Sequence, residues 1–265
     1  MCKPRSSPRS PPRSSMRLPD FIIGGAPRCG TTWLYHLLAR HPDVHMAAPV
    51  SPEPKFFLVD DVYARGLAHY SATWFATAAP GKRCGEKSTN YLESAQAAAR
   101  IRSDLPSVRL VFVLREPAAR AWSNYLWSRM NGMETETFER ALELEAEREA
   151  ALSPARRFSR PHAYFSRGLY ANQLQAWFAL FARSTILCLR FEDIVSDAAS
   201  VAAKLHRFLD LPARPQDAQG LGPINASEPD TAGLAPQTRA RLRSVYAEPN
   251  QELYALLGPG FGTWP

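Results

Sequence analysis

The chain has 265 residues, of which 45% are hydrophobic and 22% are charged, enough for one compact α/β domain with a sizeable core. This composition excludes a fully disordered chain, and no apolar run approaches the roughly 18 residues of a membrane span. The first apolar patch, residues 21–26, is too short for a signal peptide, so we expect a cytoplasmic protein. The four cysteines lack the spacing of a zinc or disulfide framework and are expected to be reduced thiols.

The positive charge is concentrated near the start of the chain. Residues 1–20 contribute +4 of the net charge of +7, and the remaining residues contribute only +3. We expect residues 1–19 to be a disordered basic leader rich in Pro, Ser and Arg, and residues 20–265 to form a single domain. No specific nucleic-acid partner is expected, because such binding needs its charge on a folded face.

After the leader, short apolar runs alternate with helical patterns, which is typical of a parallel sheet covered by helices. The predicted strands are residues 21–24, 83–85, 108–114 and 185–189. The predicted helices are residues 31–40, 93–102, 118–130, 134–152, 170–181, 201–209, 236–246 and 250–257. The unbroken apolar character of residues 108–114 indicates a central strand. We therefore predict a three-layer α/β fold whose central parallel sheet has about four to five strands flanked by helices.

A glycine-containing loop joins the first strand to the first helix and reads Gly25-Ala26-Pro27-Arg28-Cys29-Gly30-Thr31-Thr32. Glycines at both ends allow a tight turn in which backbone N–H groups converge, and the helix N-terminus adds positive potential. An anionic ligand and a P-loop-type fold are therefore predicted. The loop lacks the lysine of the Walker A motif, which argues against ATP with magnesium.

This loop, continued by Trp33 and Leu34, resembles the 5′-phosphosulfate loop of sulfotransferases that use 3′-phosphoadenosine 5′-phosphosulfate (PAPS). Residues 111–117 (VFVLREP), followed by Arg120 and Ser123, resemble the 3′-phosphate motif of that family, in which a strand ends in Arg and a Ser follows on the next helix. An Arg at the carboxyl end of a strand and a nearby hydroxyl make a good phosphate clamp. The resemblance implies PAPS as the sulfuryl donor, without a metal, bound by Pro27, Arg28, Cys29, Gly30, Thr31, Thr32, Arg115 and Ser123.

Sulfuryl transfer also needs a base for the acceptor and a cation for the leaving group. Residues 53–57 (EPKFF) resemble the Glu-x-His-Phe-Phe segment of the Golgi heparan sulfate sulfotransferases and bacterial relatives. This implies Glu53 as the general base, and Lys55 as a contact to donor or acceptor. Arg28 corresponds to a basic loop residue beside the bridging oxygen.

Two further segments complete the predicted site. Residues 86–92 resemble the family's Glu-Lys-[ST]-Pro-x-Tyr segment, which implies a catalytic role for Lys87 and a substrate contact for Asn90. Residues 166–177 resemble a family helix with the pattern Gly-x-Tyr-x-x-x-Leu-x-x-Trp, and Arg167 at its start is a further predicted substrate contact.

The resemblance spans residues 20–264 with one departure. Residues 228–235 contain no Lys or Arg, whereas heparan sulfate enzymes close a basic loop over the nucleotide there. Either Arg239, Arg241 or Arg243 replaces that loop, or the adenine end is held more loosely. The sequence thus predicts a sulfotransferase acting on a hydroxyl or amine of a small molecule or glycan. The alternatives are a P-loop small-molecule kinase and a non-catalytic protein that binds an anion or nucleotide. Acceptor and oligomeric state stay open.

Overall fold

The computed structural model describes residues 16–153, 156, 158–222, 224 and 233–264. The predicted leader up to residue 15 and most of the segment at residues 228–235 therefore lie outside the described residues. The last leader residues contact the domain, because Arg17 Nη2 donates hydrogen bonds to the carbonyl oxygens of Ala79 (2.9 Å) and Lys82 (3.2 Å).

A parallel five-stranded sheet forms the centre of the fold, with the strand order β2-β3-β1-β4-β5. The strands are β1 (Phe21–Gly25), β2 (Val44–Met46), β3 (Arg83–Lys87), β4 (Arg109–Leu114) and β5 (Ile186–Arg190). Strands β1 and β4 are almost completely buried, as expected for central strands covered on both faces. The predicted α/β fold and strand number are confirmed.

Helices cover the sheet and follow most of the predicted segments. They are α1 (Thr31–Ala39), α2 (Asp60–Tyr63), α3 (Gly66–Trp74), α4 (Ala95–Asp104), α5 (Pro117–Met130), α6 (Phe138–Glu143), α7 (Glu145–Ala150), α8 (Tyr170–Leu180), α9 (Phe191–Ser196), α10 (Ala198–Phe208) and α11 (Pro236–Leu257). Among the described residues, no helix is long and apolar enough to cross a membrane.

Several predicted boundaries were wrong for local reasons. Residues 134–152 form two short helices that are divided at Leu144, and the first begins only at Phe138, because Thr137 caps it by accepting a hydrogen bond from the backbone N–H of Arg140. The two predicted C-terminal helices are one, which continues through Pro249. Strand β2 and helices α2, α3 and α9 were not predicted.

The sheet register brings three chain segments to one edge. Ile23 pairs with Lys87 of β3, and Gly25 pairs with Phe112 of β4, so the ends of these strands lie side by side. The backbone N–H of Ala26 extends this pairing by donating to the carbonyl oxygen of Val113 at 2.8 Å. Ligands of open parallel sheets bind at this carboxyl edge.

Candidate active site

The loop after β1 ends at Gly30, and the local geometry requires a glycine there. Its φ of 88° is left-handed, and a Cβ at this position would lie 2.9 Å from Cδ2 of Phe191. Gly30 is also the N-cap of α1 and supplies no capping side chain. The first N–H groups of α1 have no acceptor within the helix and are therefore available to an anion.

The other loop residues divide into those that face the site and one that faces the core. Pro27, Arg28, Thr31 and Thr32 line a cavity at this edge of the sheet. The thiol of Cys29 is fully buried, with Sγ 3.7 Å from the hydroxyl oxygen of Tyr170, and burial raises its pKa to about 11. The buried thiol does not face the site, so the predicted contact of Cys29 with the sulfuryl donor would come from its backbone.

The two predicted phosphate-binding motifs meet in a donor cluster formed by Arg28, Arg115 and Ser123. Nε of Arg28 donates to Oγ of Ser123 at 3.3 Å, and Nη1 of Arg115 donates to the carbonyl oxygen of Arg28 at 3.4 Å. The guanidinium of Arg115 also lies over the ring of Phe191, 4.5 Å from its centroid. Burial and the nearby charge of Arg115 lower the pKa of Arg28 to about 10, which still leaves the Arg28 side chain charged at neutral pH.

The cavity beside the donor cluster has a volume of about 1130 Å³ and contains most of the predicted site residues. We call it the site cavity. Its walls include Pro27, Arg28, Thr31, Thr32, Glu53, Lys55, Lys87, Thr89, Asn90, Trp127, Phe158, Ser159, Pro161 and Arg167. Arg115 and Ser123 contact Arg28, which is itself part of the wall. The sequence therefore identified residues that the fold brings to one place.

Glu53 and Lys87 form an ion pair in the wall of the site cavity. Their side chains are only 13% and 6% exposed, so water screens the pair weakly. Thr89 completes the arrangement, because its backbone N–H donates to Oε2 of Glu53 at 3.1 Å and its hydroxyl lies 3.2 Å from both carboxylate oxygens. A carboxylate and an ammonium are thus held together at fixed positions facing the cavity.

Lys55 is held by its backbone and by an aromatic ring. Its N–H donates to Oγ of Ser88 at 2.9 Å, and its φ is a left-handed 47°. Its ammonium nitrogen lies 5.3 Å from the ring centroid of Phe158, and burial lowers its pKa. This places a cation on the cavity wall, where it is available to either substrate.

Arg167 and Asn90 line the site cavity, and part of their polar groups bind other residues of the protein. Nε of Arg167 donates to Oε1 of Glu93 at 2.9 Å, and the amide of Asn90 donates to the same oxygen at 2.9 Å. Nη1 of Arg160 donates to Oε2 at 2.6 Å. We call Glu93, Arg160 and Arg167 the loop clamp. Both residues line the site cavity, so the direct substrate contacts of Arg167 and Asn90 stay a prediction, and their observed contacts also help to fix the cavity wall.

Three residues that support the site were not predicted as functional. Thr89 orients Glu53, Glu93 organises the loop clamp, and Phe191 packs against both Gly30 and Arg115. Thr89 could have been predicted most easily, because it lies two residues after Lys87 in a segment that the sequence analysis had already identified. Phe191 and Glu93 gave no local signal, since their partners are distant in the sequence.

Comparisons with known proteins agree with this geometry. The profile of the sulfotransferase domain family matches residues 18–221. Heparan sulfate glucosamine 3-O-sulfotransferase 3B1 of Mus musculus is 30% identical over 268 residues, covering 94% of this chain and 65% of that protein. The chain therefore spans less than two thirds of that relative.

Solved structures show the same fold. A sulfotransferase from Alicyclobacillus acidocaldarius has a TM-score of 0.72 at 24% identity, with 91% of this chain and 96% of that chain covered. Mouse sulfotransferase SULT7A1, solved in complex with 3′-phosphoadenosine 5′-phosphate (PAP), has a TM-score of 0.59 at 15% identity, with coverages of 90% and 87%.

Proposed function

Because the chain belongs to the sulfotransferase domain family, we propose that it transfers the sulfuryl group of PAPS to a hydroxyl or amine of an acceptor bound in the site cavity. The observation that carries this proposal is the contact between the two phosphate-binding motifs. Arg28 of the first loop donates to Ser123 of the second motif, and both motifs adjoin the cavity that contains Glu53 and Lys87.

The residues at the donor cluster fit a nucleotide with two phosphate-bearing ends. The N-terminus of α1 and the Gly30 turn offer backbone N–H groups to the 5′ end, whereas Arg115 and Ser123 offer a guanidinium and a hydroxyl to the 3′-phosphate. The ring of Phe191 fills the space behind Gly30, so a larger residue could not form this cradle. When bound, PAPS supplies an activated sulfuryl group whose departure leaves PAP.

The residues of this chain then have distinct tasks. Glu53 accepts the proton of the acceptor, and Thr89 and Lys87 keep its carboxylate at a fixed position on the cavity wall. Lys87 and Arg28 provide positive charge where negative charge develops on the leaving phosphate oxygen. These charges are preorganised by the fold, so little rearrangement is needed during transfer.

The acceptor occupies the part of the site cavity beyond Lys55. The wall of the site cavity includes the apolar side chains of Trp127, Phe158 and Pro161 beside polar ones such as Ser159. Such a surface accepts the flat or apolar face of a small molecule or a sugar ring. We also propose a cytoplasmic location, which is supported by the unpaired thiols of the described cysteines Cys29, Cys84 and Cys188.

Ligand-induced thermal stabilisation tests the proposed donor. We expect PAP to raise the unfolding temperature in proportion to the logarithm of its concentration, and ATP with magnesium to have no comparable effect, since the loop lacks the Walker lysine. Stabilisation by ATP with magnesium but not by PAP would contradict the proposal and favour a kinase. Transfer of label from PAPS to a panel of acceptors would then identify the second substrate.

A further inference from the structure

The peptide group that links Arg115 to Glu116 is held by two side chains from other parts of the fold. This peptide lies between the end of β4 and the start of α5. Its carbonyl oxygen accepts a hydrogen bond from the hydroxyl of Tyr170 at 2.9 Å. Its N–H donates to Oε1 of Glu192 at 2.9 Å. Side chains on α8 and α9 therefore bind both polar groups of the peptide.

Trp264 contacts both of these side chains. Its indole Nε1–H donates to the second carboxylate oxygen of Glu192, Oε2, at 2.9 Å. Its ring lies beside that of Tyr170, with the ring centroids 6.0 Å apart. Trp264 is itself only 8% exposed, and its backbone N–H donates to the hydroxyl of Tyr254 on α11 at 2.8 Å. One buried tryptophan thus supports both side chains that hold the peptide after Arg115.

The two hydrogen bonds to Glu192 require a carboxylate. Both partners are N–H donors, namely the indole of Trp264 and the backbone of Glu116. An ionised carboxylate offers an acceptor to each of them, whereas the amide of glutamine offers one acceptor oxygen and one NH₂ donor. Hydrogen bonds to a charged oxygen are also stronger than those to a neutral one. Glu192 therefore bridges Trp264 and the peptide that precedes α5.

This peptide is important for the donor cluster because it follows Arg115 directly. The guanidinium of Arg115 lies over the ring of Phe191 and donates to the carbonyl oxygen of Arg28 at 3.4 Å. A rotation of the peptide would change the backbone conformation of Arg115, and its long side chain would carry the guanidinium out of these contacts. A binding group contributes fully only when it is held within about 0.5 Å of its place, so the peptide has to be fixed.

We propose that Glu192 and Trp264 are positioning residues of the donor cluster, which fix the peptide after Arg115 so that its guanidinium meets the 3′-phosphate without rearrangement. This inference rests on the proposed function, in which Arg115 and Ser123 bind that phosphate. Glu192 and Trp264 act through Arg115. Their contribution is preorganisation, which raises affinity because less of the site has to be ordered when the nucleotide binds.

Three substitutions test this positioning role. Glu192→Gln leaves one of the two N–H groups without an acceptor, and Trp264→Phe removes the indole N–H but keeps an aromatic ring beside Tyr170. Trp177→Phe is the matched control, because Trp177 is also buried but its indole donates to the carbonyl oxygen of Leu92 at 3.0 Å. Calorimetric titration with PAP and with adenosine 5′-phosphate, which lacks the 3′-phosphate, gives the ratio of the two dissociation constants. A purely structural residue changes stability but leaves this ratio unchanged.

We expect Glu192→Gln to weaken PAP binding by about 10-fold and adenosine 5′-phosphate binding by less than about 2-fold. Trp264→Phe should lower the preference for PAP by about 3-fold or more, whereas Trp177→Phe should keep it within about 2-fold of the wild type. In an Arg115→Ala background, Glu192→Gln should not change the ratio further, because the side chain that Glu192 positions is absent.

A wild-type ratio in Glu192→Gln, or an equal further loss in the Arg115→Ala background, would overturn the inference. A loss of the same size in Trp177→Phe would also overturn it. If Glu192→Gln does not fold, the ratio in Trp264→Phe decides in the same way. A wild-type protein that does not bind PAP would instead refute the proposed function.

Discussion

The donor side and the acceptor side of the site cavity are built in different ways. On the donor side, the chain segments that follow β1 and β4 carry Gly30, Arg28 and Arg115, and the start of α1 leaves backbone N–H groups available to a ligand. On the acceptor side, irregular segments carry Lys55 and Phe158, and long-range side-chain contacts hold them.

We expect this difference to separate the residues that set affinity for the nucleotide from those that set the choice of the acceptor. A strand end and a helix start cannot move without disturbing the core, so the donor side is constrained by the fold. The acceptor wall depends on the loop clamp, in which Arg160 and Arg167 share the carboxylate of Glu93. Substitutions on the two sides should therefore have different signatures in stability, nucleotide binding and turnover.

The largest expected effect is on the acceptor side. Glu93→Gln removes the shared negative charge and leaves the buried guanidinium of Arg167 without its ion-pair partner, while Arg160 keeps only its pair with Glu149; this should lower the free energy of unfolding by about 3–5 kcal/mol. Residues 158–167 would loosen, so KM for the acceptor should rise while PAP affinity changes little. Urea denaturation and steady-state kinetics measure these quantities.

Glu143→Gln is the matched control, because the Glu143–Arg140 pair is about half exposed on both sides. Its loss should change the free energy of unfolding by less than about 0.5 kcal/mol. Equal effects of the two substitutions would show that the loop clamp does not hold the acceptor wall.

The next effect concerns the chemical step. Glu53→Gln keeps the size of the side chain but removes the base, so turnover should fall roughly 10²-fold or more while PAP affinity is preserved. Rapid-quench or steady-state assays with labelled PAPS measure turnover, and calorimetry measures PAP binding. The exposed Glu147→Gln serves as the control. Full turnover in Glu53→Gln would remove Glu53 from the role of base.

On the donor side, Gly30→Ala should lower the free energy of unfolding by about 1–3 kcal/mol, because φ is left-handed and the new methyl group meets the ring of Phe191. Gly132→Ala measures the cost of the left-handed φ alone, since Gly132 also has a positive φ (67°) but faces open space. We expect Gly132→Ala to cost about 1 kcal/mol and to leave PAP binding unchanged. Equal costs in the two variants would show that the contact with Phe191 is unimportant.

The last effect is a pH dependence of the free energy of unfolding that comes from Glu86 of β3. Burial raises the pKa of Glu86 from 4.5 to about 8, so the folded protein keeps a proton that the unfolded chain releases. The free energy of unfolding should therefore fall as pH rises between these values. Glu86→Gln stays neutral and should lose this slope, gaining about 2 kcal/mol over the wild type between pH 6 and pH 8. Urea denaturation at the two pH values measures this difference. If wild type and Glu86→Gln show the same change in the free energy of unfolding between pH 6 and pH 8, the prediction is contradicted.

The donor side and the acceptor side also differ in how well the sequence predicts them. Local patterns identified β4, the Gly30 turn and Arg115, because each depends on neighbouring residues. Strand β2 has only three residues, too few to show a periodic pattern. The loop clamp was missed because Arg160 lies 67 residues from Glu93 in the sequence. Pairings of this kind are decided by the tertiary fold, so a sequence pattern shows the charged residues but not their partners.

A crystal structure with bound PAP tests the central claim most directly, which is that the two phosphate-binding motifs hold opposite ends of one nucleotide. We predict the 5′-phosphate at the N-terminus of α1 and the 3′-phosphate between Arg115 and Ser123, with Glu53 and Lys87 facing the 5′ end. A nucleotide that contacts only one of the two motifs, or that lies outside the site cavity, would contradict this account.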